Sequence, residues 1–224
     1  MIRLHVTVEG KTEQEFVKTI LAPHLASFKV ITDARCVLTS SSARRTYRGG
    51  LVRYAVAKQD IGWWLARDDH PECRFTTMFD FYALPHDFPS YAEAMSLQDP
   101  YAKVKKLEDA LQQDMDDRRF IPYIQLHEFE ALILSNPAKL NHDYLEYERP
   151  IAELTKSIEG MNPELIDDGP DTAPSKRILS RIPEYNKVTA GVSVASHIGL
   201  PVLREKCRHF NDWLTQLEEL GGST

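Results

Sequence analysis

The sequence predicts an α/β protein: a mostly parallel four-stranded sheet flanked by helices, followed by a helical C-terminal extension. Three observations predict it. Short apolar runs alternate with amphipathic stretches in the order β-α-β-α-β-α-β over residues 1–135, a pattern that requires parallel strands joined by crossovers. Residues 136–224 read instead as helices punctuated by Gly169-Pro170, Pro174, Pro183 and Pro201. Finally, 42% apolar and 27% charged residues in a chain of 224 are the composition of a globular protein large enough to bury a core without staples. The expected organisation is an α/β core over 1–135 with the extension, 136–224, packed on it as one structural unit.

The elements follow in order. Ile2, Leu4, Val6 and Val8 alternate along a first strand that ends at Glu9-Gly10. Thr12 and Glu15 have the spacing of a capping box, and Phe16, Val17, Ile20 and Leu21 give the helix after it one apolar side. Pro23 is expected to kink or end that helix. A second strand is expected around Ala34 to Leu38, a basic loop over Ser40 to Gly50, and a helix from Leu51 to Leu65. Arg74 to Phe81 is the third strand, closed off by the turn-rich Leu84 to Pro89. Tyr101 to Asp117 is a charged amphipathic helix, Phe120 to Leu126 a fourth strand, and Phe129 to Leu134 the start of another helix. Trp63, Trp64 and Trp213 fall in helical segments with apolar neighbours and are assigned to core or interface.

Some functions are excluded early. No apolar run approaches the roughly 20 residues of a membrane-spanning helix, and MIRLHVTVEGKTE has none of the features of a secretion signal. A cytoplasmic location without membrane association is the expectation. Cys36, Cys73 and Cys207 are too dispersed for a local metal motif and read as reduced structural thiols. A net charge of -6 argues against a general nucleic-acid coat, though an acidic metal centre with a local basic patch is compatible with it.

Ligands of open parallel sheets sit outside the carboxyl ends of the strands. Glu9 ends the first strand, Asp80 the third, and His127-Glu128-Phe129-Glu130 follows the fourth. Oxygen-rich clusters of this kind suit Mg²⁺, or Mn²⁺ in its place. Singly, Glu9 also reads as an acid at a helix N-terminus, Asp80 as a partnered carboxylate in an aromatic run, and His127 as a hydrogen-bonded structural histidine. Jointly the acids point to a metal site.

At Val8-Glu9-Gly10-Lys11-Thr12-Glu13 the sequence resembles the first motif of the Toprim fold, shared by topoisomerases, primases and overcoming-lysogenization-defect nucleases. Met78-Phe79-Asp80-Phe81-Tyr82 falls where that fold carries its Asp-x-Asp motif. The longer pattern is similar to an uncharacterised Toprim-like family. Its marks are DFYALPHDFP (80–89), RFIPYIQLHEFEALI (119–133), GPDTAPSKRI (169–178) and IGLPVLREKCRHFNDWL (198–214). The resemblance implies Glu9 as general acid or base and Asp80 as a magnesium ligand. Tyr82 replaces the second acid of the motif, so Glu128, Glu130 or Asp87 is needed to complete the shell. The resemblance also implies a nuclease acting in phage defence with an ABC-type, OLD-like ATPase subunit as partner and DNA or RNA, including tRNA, as substrate. Homodimerisation is left open.

Candidate substrate contacts are Lys11, His127, the arginines Arg44, Arg45 and Arg48 of the loop Ser42 to Gly50, Lys176 at a helix start, and Lys187. The loop reads equally as a solvated surface segment. Two other readings stand beside the nuclease: a non-catalytic binding or sensor module, and a metal-dependent phosphotransferase or phosphatase acting on a small nucleotide.

Overall fold

The computed structural model describes residues 1–42, 45–48, 51, 53–166 and 173–222, and only the backbone of 38–42 and 45–48. The chain divides into two units, one of Met1–Gln125 with Leu214–Thr224, the other of Leu126–Trp213.

In the first unit, β1 (Ile2–Val8) runs at the centre of the sheet because its neighbours on both sides are parallel strands. The chain leaves β1 through Glu9-Gly10 into α1 (Lys11–Phe16), continues through a π-helical turn (Val17–Leu21) into α2 (Ala22–Ala26), and returns as β2 (Val30–Cys36). β5 (Cys73–Asp80) lies on the other side of β1. Before it come β3 (Leu38–Ser42), β4 (Arg45–Arg48) and α3 (Tyr54–Arg67). α4 (Tyr91–Met95) and α5 (Pro100–Met115) then lead to β6 (Phe120–Ile121) and β7 (Ile124–Gln125), both parallel to β5. The sheet therefore has five strands in the order β2-β1-β5-β6, with β7 also on β5. β5 is buried at seven of its eight residues, as expected of a strand covered on both faces.

The expected α/β architecture is present, and four local features depart from expectation. The fourth strand is two stubs rather than one run. Pro122 between them has no N–H to give the ladder, and the Thr77 side chain takes over: its Oγ1 accepts from Tyr123 N–H and donates to Tyr123 O, each at 2.9 Å. The segment read as a loop contains the antiparallel pair β3–β4. The Thr12–Glu15 capping box is not used. Helix α1 starts at Lys11 with extended Gly10 as its N-cap, which turns Thr12 and Glu13 into the core and leaves Glu15 exposed. Pro23 does not end the helix. It occupies the first turn of α2, and the π turn just before it absorbs the missing hydrogen bond.

Helix α5 shows how pattern and packing agree. Asp99 accepts hydrogen bonds from the amides of Tyr101 and Ala102, Pro100 takes the first helical position, and Val104, Leu107, Glu108 and Leu111 form the buried stripe. Glu108 is tolerated there because its Oε1 accepts the Ile124 N–H at 2.8 Å.

The second unit is helical: α6 (Glu130–Ile133), α7 (Glu148–Ser157), α8 (Pro174–Leu179), α9 (Val192–Ile198), α10 (Leu200–Lys206) and the start of α11 (Arg208–Glu219). Buried Glu164 holds the start of α11 by accepting the amides of His209 and Phe210 at 2.9 and 3.0 Å. The end of α11 belongs to the first unit, where Glu218 pairs with His24 at 2.6 Å. Trp213 is buried, whereas Trp63 is 60% exposed. No helix among the described residues is long and apolar enough to cross a membrane.

Candidate functional site

Parallel pairing of β1 with β5 fixes the first part of the site. Val8 is in register with Met78, so Glu9 and Asp80 emerge from the carboxyl ends of neighbouring strands. The Glu9 N–H donates to Met78 O at 3.3 Å, and the Asp80 N–H donates to Glu9 Oε2 at 3.2 Å. Glu9 is half-buried and Asp80 is buried. A carboxylate oxygen that accepts one hydrogen bond keeps a second lone pair, so this contact leaves Glu9 Oε2 capable of coordination.

Glu13 joins them from the first turn of α1. It is buried, and its Oε2 would lie 3.1 Å from a Cβ placed on Gly10. Glycine at position 10 thus lets the Glu13 side chain fold back over the backbone between Glu9 and the helix. The positive end of the helix favours carboxylates in this position. Lys11 is exposed, with its Nζ 3.4 Å from Gln14 Oε1. Asp87, considered as a substitute ligand, accepts the Tyr54 N–H at 3.1 Å and so holds the start of α3. Tyr82 lies on the 3-10 turn directly after β5, 42% exposed.

The remaining expected acids belong to the second unit. Glu128 Oε1 accepts the Ser175 N–H at 2.6 Å and supplies the cap that α8 does not draw from its own N-cap side chain. Glu130 is fully buried and faces Lys187, whose Nζ stands 3.5 Å from Glu130 Oε2. The Tyr185 hydroxyl is pushed well up by burial and then by the Glu130 charge. Lys187, expected as a phosphate contact, is therefore also the countercharge of a buried carboxylate. His127 is buried with φ 61°, a left-handed backbone conformation that costs a bulky residue about 1–2 kcal/mol. Lys176 is exposed on α8. Arg44 and the segment 169–172 lie outside the described residues, and of Arg45 and Arg48 only the backbone, on β4, is described.

The family model for a domain of unknown function, DUF4276, matches residues 8–218. The chain belongs to this family. No curated protein matches the DUF4276 chain. Two solved structures are similar to it, the C-terminal region of the Xanthomonas campestris pv. campestris OLD protein phased with iodine and the same region phased with platinum. Each has a TM-score of 0.40 and 12% identity and covers 96% of this chain, and the chain covers 97% and 95% of them respectively.

The DUF4276 chain holds a second cluster of polar side chains that sequence reading missed, at the amino ends of the same strands. His5 on β1, Asp68 just after α3 and Cys73 at the start of β5 bring their ligand atoms within 4.8 Å of one another. Arg3 enters the same cluster. Its Nη2 donates to Asp68 Oδ1 at 2.7 Å and to Cys73 Sγ at 3.1 Å, and His5 Nε2 lies 3.0 Å from Asp68 Oδ2. Hydrogen bonds from Cys73 and His5 hold the Asp68 carboxyl well below its ordinary range, and burial raises the Cys73 thiol. A guanidinium already supplies the positive charge, so the arrangement is a charge-compensated hub that ties α3 to the sheet. Asp68 and Cys73 stand 63 or more positions from Arg3 and His5, and only Cys73 carried a sequence signal, as a reduced structural thiol. Glu13 was visible as part of the VEGKTE motif, but its burial beside Glu9 follows from the helix starting at Lys11.

Proposed function

We propose that this chain is a magnesium-dependent nuclease of the Toprim type, cleaving phosphodiester bonds in DNA or RNA as the effector of an anti-phage system beside an ABC-type ATPase. The observation that supports the chemistry is the meeting of Glu9 and Asp80 at the ends of neighbouring parallel strands, the amide of one on the carboxylate of the other at 3.2 Å. The defence setting and the ATPase partner rest on the motif resemblance alone.

The donor types suit the metal. Glu9, Glu13 and Asp80 offer hard carboxylate oxygens from rigid strand ends and a helix start, the ligand type that Mg²⁺ and Mn²⁺ take. A bound ion of this kind supplies Lewis-acid polarisation of a phosphoryl oxygen. In this reading half-buried Glu9 would hold or move a proton at the reacting oxygen, and buried Asp80 and Glu13 would orient the shell. The test is incubation of the purified chain, with and without its ATPase partner, on plasmid, single-stranded DNA and tRNA in Mg²⁺ or Mn²⁺. Glu9→Ala and Asp80→Ala are expected to lose cleavage by about 100-fold or more; undiminished cleavage in both sinks the site. Glu128→Gln and Glu130→Gln in the same assay assign or remove their part in the shell.

A second reading, a non-catalytic sensor or binding subunit, is favoured by Tyr82 at the place of the second acid. It requires assembly with the ATPase to survive loss of Glu9 and no metal-dependent cleavage on any substrate. Tight Mg²⁺ binding that disappears with Glu9, measured by calorimetry, counts against it.

A further inference from the structure

A cavity that none of the acid motifs touches lies wholly within the second unit. It measures about 590 Å³, within the range of small-molecule sites. One face of α7, from Glu148 through Ile151 to Thr155, forms one wall; the stretch from Leu134 to Asn141 and the turn Gly160-Met161 contribute others. Two carboxamides in this lining, Asn136 and Asn141, have no hydrogen-bond partner among the described residues. Asn136 stands at the N-cap of the 3-10 segment Pro137–His142, where an asparagine ordinarily accepts a backbone amide, and it makes no such bond. Asn162 and Asn186 hold the same position on other helical segments of this unit, and both accept backbone amides. Asn141 Oδ1 is buried without a donor, which costs about 1–3 kcal/mol until one is supplied. Its amide plane turns readily toward a ligand, because χ2 of asparagine is a broad torsion.

We propose that this cavity binds an uncharged planar heterocycle with an amide-like edge: a nucleobase, presented by a free nucleoside or by a single strand. The rest of the lining narrows the ligand to that class. Lys156 and Lys206 are matched by Glu148 and Glu159, so the lining has no net charge with which to hold a phosphate or a metal cation. Buried Ile151, Ile158 and Pro163 give apolar surface for ring faces. Met161, 54% exposed, adds a thioether of the kind that packs on ring edges. The Ser135 and Thr155 hydroxyls donate to Leu132 O at 2.6 Å and Ile151 O at 2.8 Å, which leaves both to a ligand only as acceptors. A carboxamide pairs with the edge of a base through two parallel hydrogen bonds. An extended peptide carries the same amide groups, but it docks on a sheet edge, and the described residues of the second unit contain no strand. No residue of the first unit takes part, so the proposal is independent of the reading of Glu9 and Asp80.

The test is calorimetry on the full chain with the four ribonucleosides as probes, beside ribose and N-acetylalaninamide as controls. At least one nucleoside is expected to bind more tightly than both controls. Binding by none of the four, or equal binding by the sugar or the bare amide, overturns the proposal. Asn141→Leu keeps the shape and removes the orphaned acceptor, so Tm is expected to hold or rise while nucleoside affinity falls about tenfold. A lower Tm with unchanged affinity makes the carboxamide structural and sinks the site. Ala152→Trp fills the cavity from an exposed position on α7 and is expected to abolish binding at unchanged Tm. Nucleoside binding that survives it puts the ligand elsewhere and overturns the assignment. A single-stranded oligonucleotide then separates the two sources. Oligonucleotide binding weakened by Ala152→Trp assigns the site to a base of a strand, and no such loss assigns it to free nucleosides.

Discussion

The two ends of strands β1 and β5 handle charge in opposite ways. At the amino end Asp68 meets an arginine at 2.7 Å and a histidine at 3.0 Å, and its negative charge is matched where it stands. At the carboxyl end Glu9 accepts the Asp80 amide, and Glu13 folds over Gly10. Glu9 meets a backbone amide there, in contrast to the arginine at Asp68. The first arrangement holds the structure together; the second is the one proposed to take a cation. One sheet therefore carries a stabilising edge and an edge proposed for chemistry, at opposite ends of the same strands.

That contrast is open to test. The largest effect is expected for Glu9→Gln and Asp80→Asn, which should abolish metal-dependent cleavage, by about 100-fold or more, without lowering Tm; a drop in Tm with activity retained would make the carboxyl edge structural too. Next comes Asp68→Ala, expected to destabilise by about 2 kcal/mol through the polar partners it strands, read as a lower urea midpoint at constant m. Metal-dependent cleavage by the folded variant should be untouched, and a loss of Mn²⁺ affinity there would exchange the roles of the two edges.

A third effect is smaller and depends on pH. Because the folded Asp68 carboxyl lies below its ordinary value of 3.8, the unfolded chain takes up the proton first on acidification. The stabilisation is complete above that value and is lost as pH falls through the lower folded value. Asp68→Asn is expected to flatten this acid limb in a urea series below about pH 4, and an unchanged limb would mean that the hub contributes nothing electrostatic. The smallest effect is expected for Gly10→Ala. With φ at -144° the backbone accepts alanine, but alanine is the poorer N-cap, so stability should fall by about 0.5 kcal/mol. The new methyl presses on Glu13 Oε2 from 3.1 Å, so divalent affinity should fall a few-fold. No change in affinity would remove Glu13 from the shell.

Particular residues show how far reading the chain reaches. The alternation Ile2, Leu4, Val6, Val8 and the stripe Val104, Leu107, Leu111 placed their elements correctly because burial of one face imposes its period on the sequence. The capping box at Thr12 misled because its spacing is local, whereas the helix start was decided by which residues had to face β1 and β2. The expected strand Phe120 to Leu126 ran through Pro122; neither the break there nor its repair by Thr77, from a strand 45 positions earlier, was read from the chain.

By itself, the sequence determined the alternation of the main strands and helices of the first unit, the parallel character of the sheet, and the delivery of Glu9 and Asp80 to strand ends. Each follows from periodicity and breakers within a few residues. Only the tertiary structure decided which polar groups meet: Asp80 with Glu9, Glu13 over Gly10, Arg3 with Asp68 and Cys73. The reason is physical. A hydrogen bond between distant residues leaves no period in the chain, because its partners are brought together by strand register and helix phase, and those are set by the packing of the whole unit.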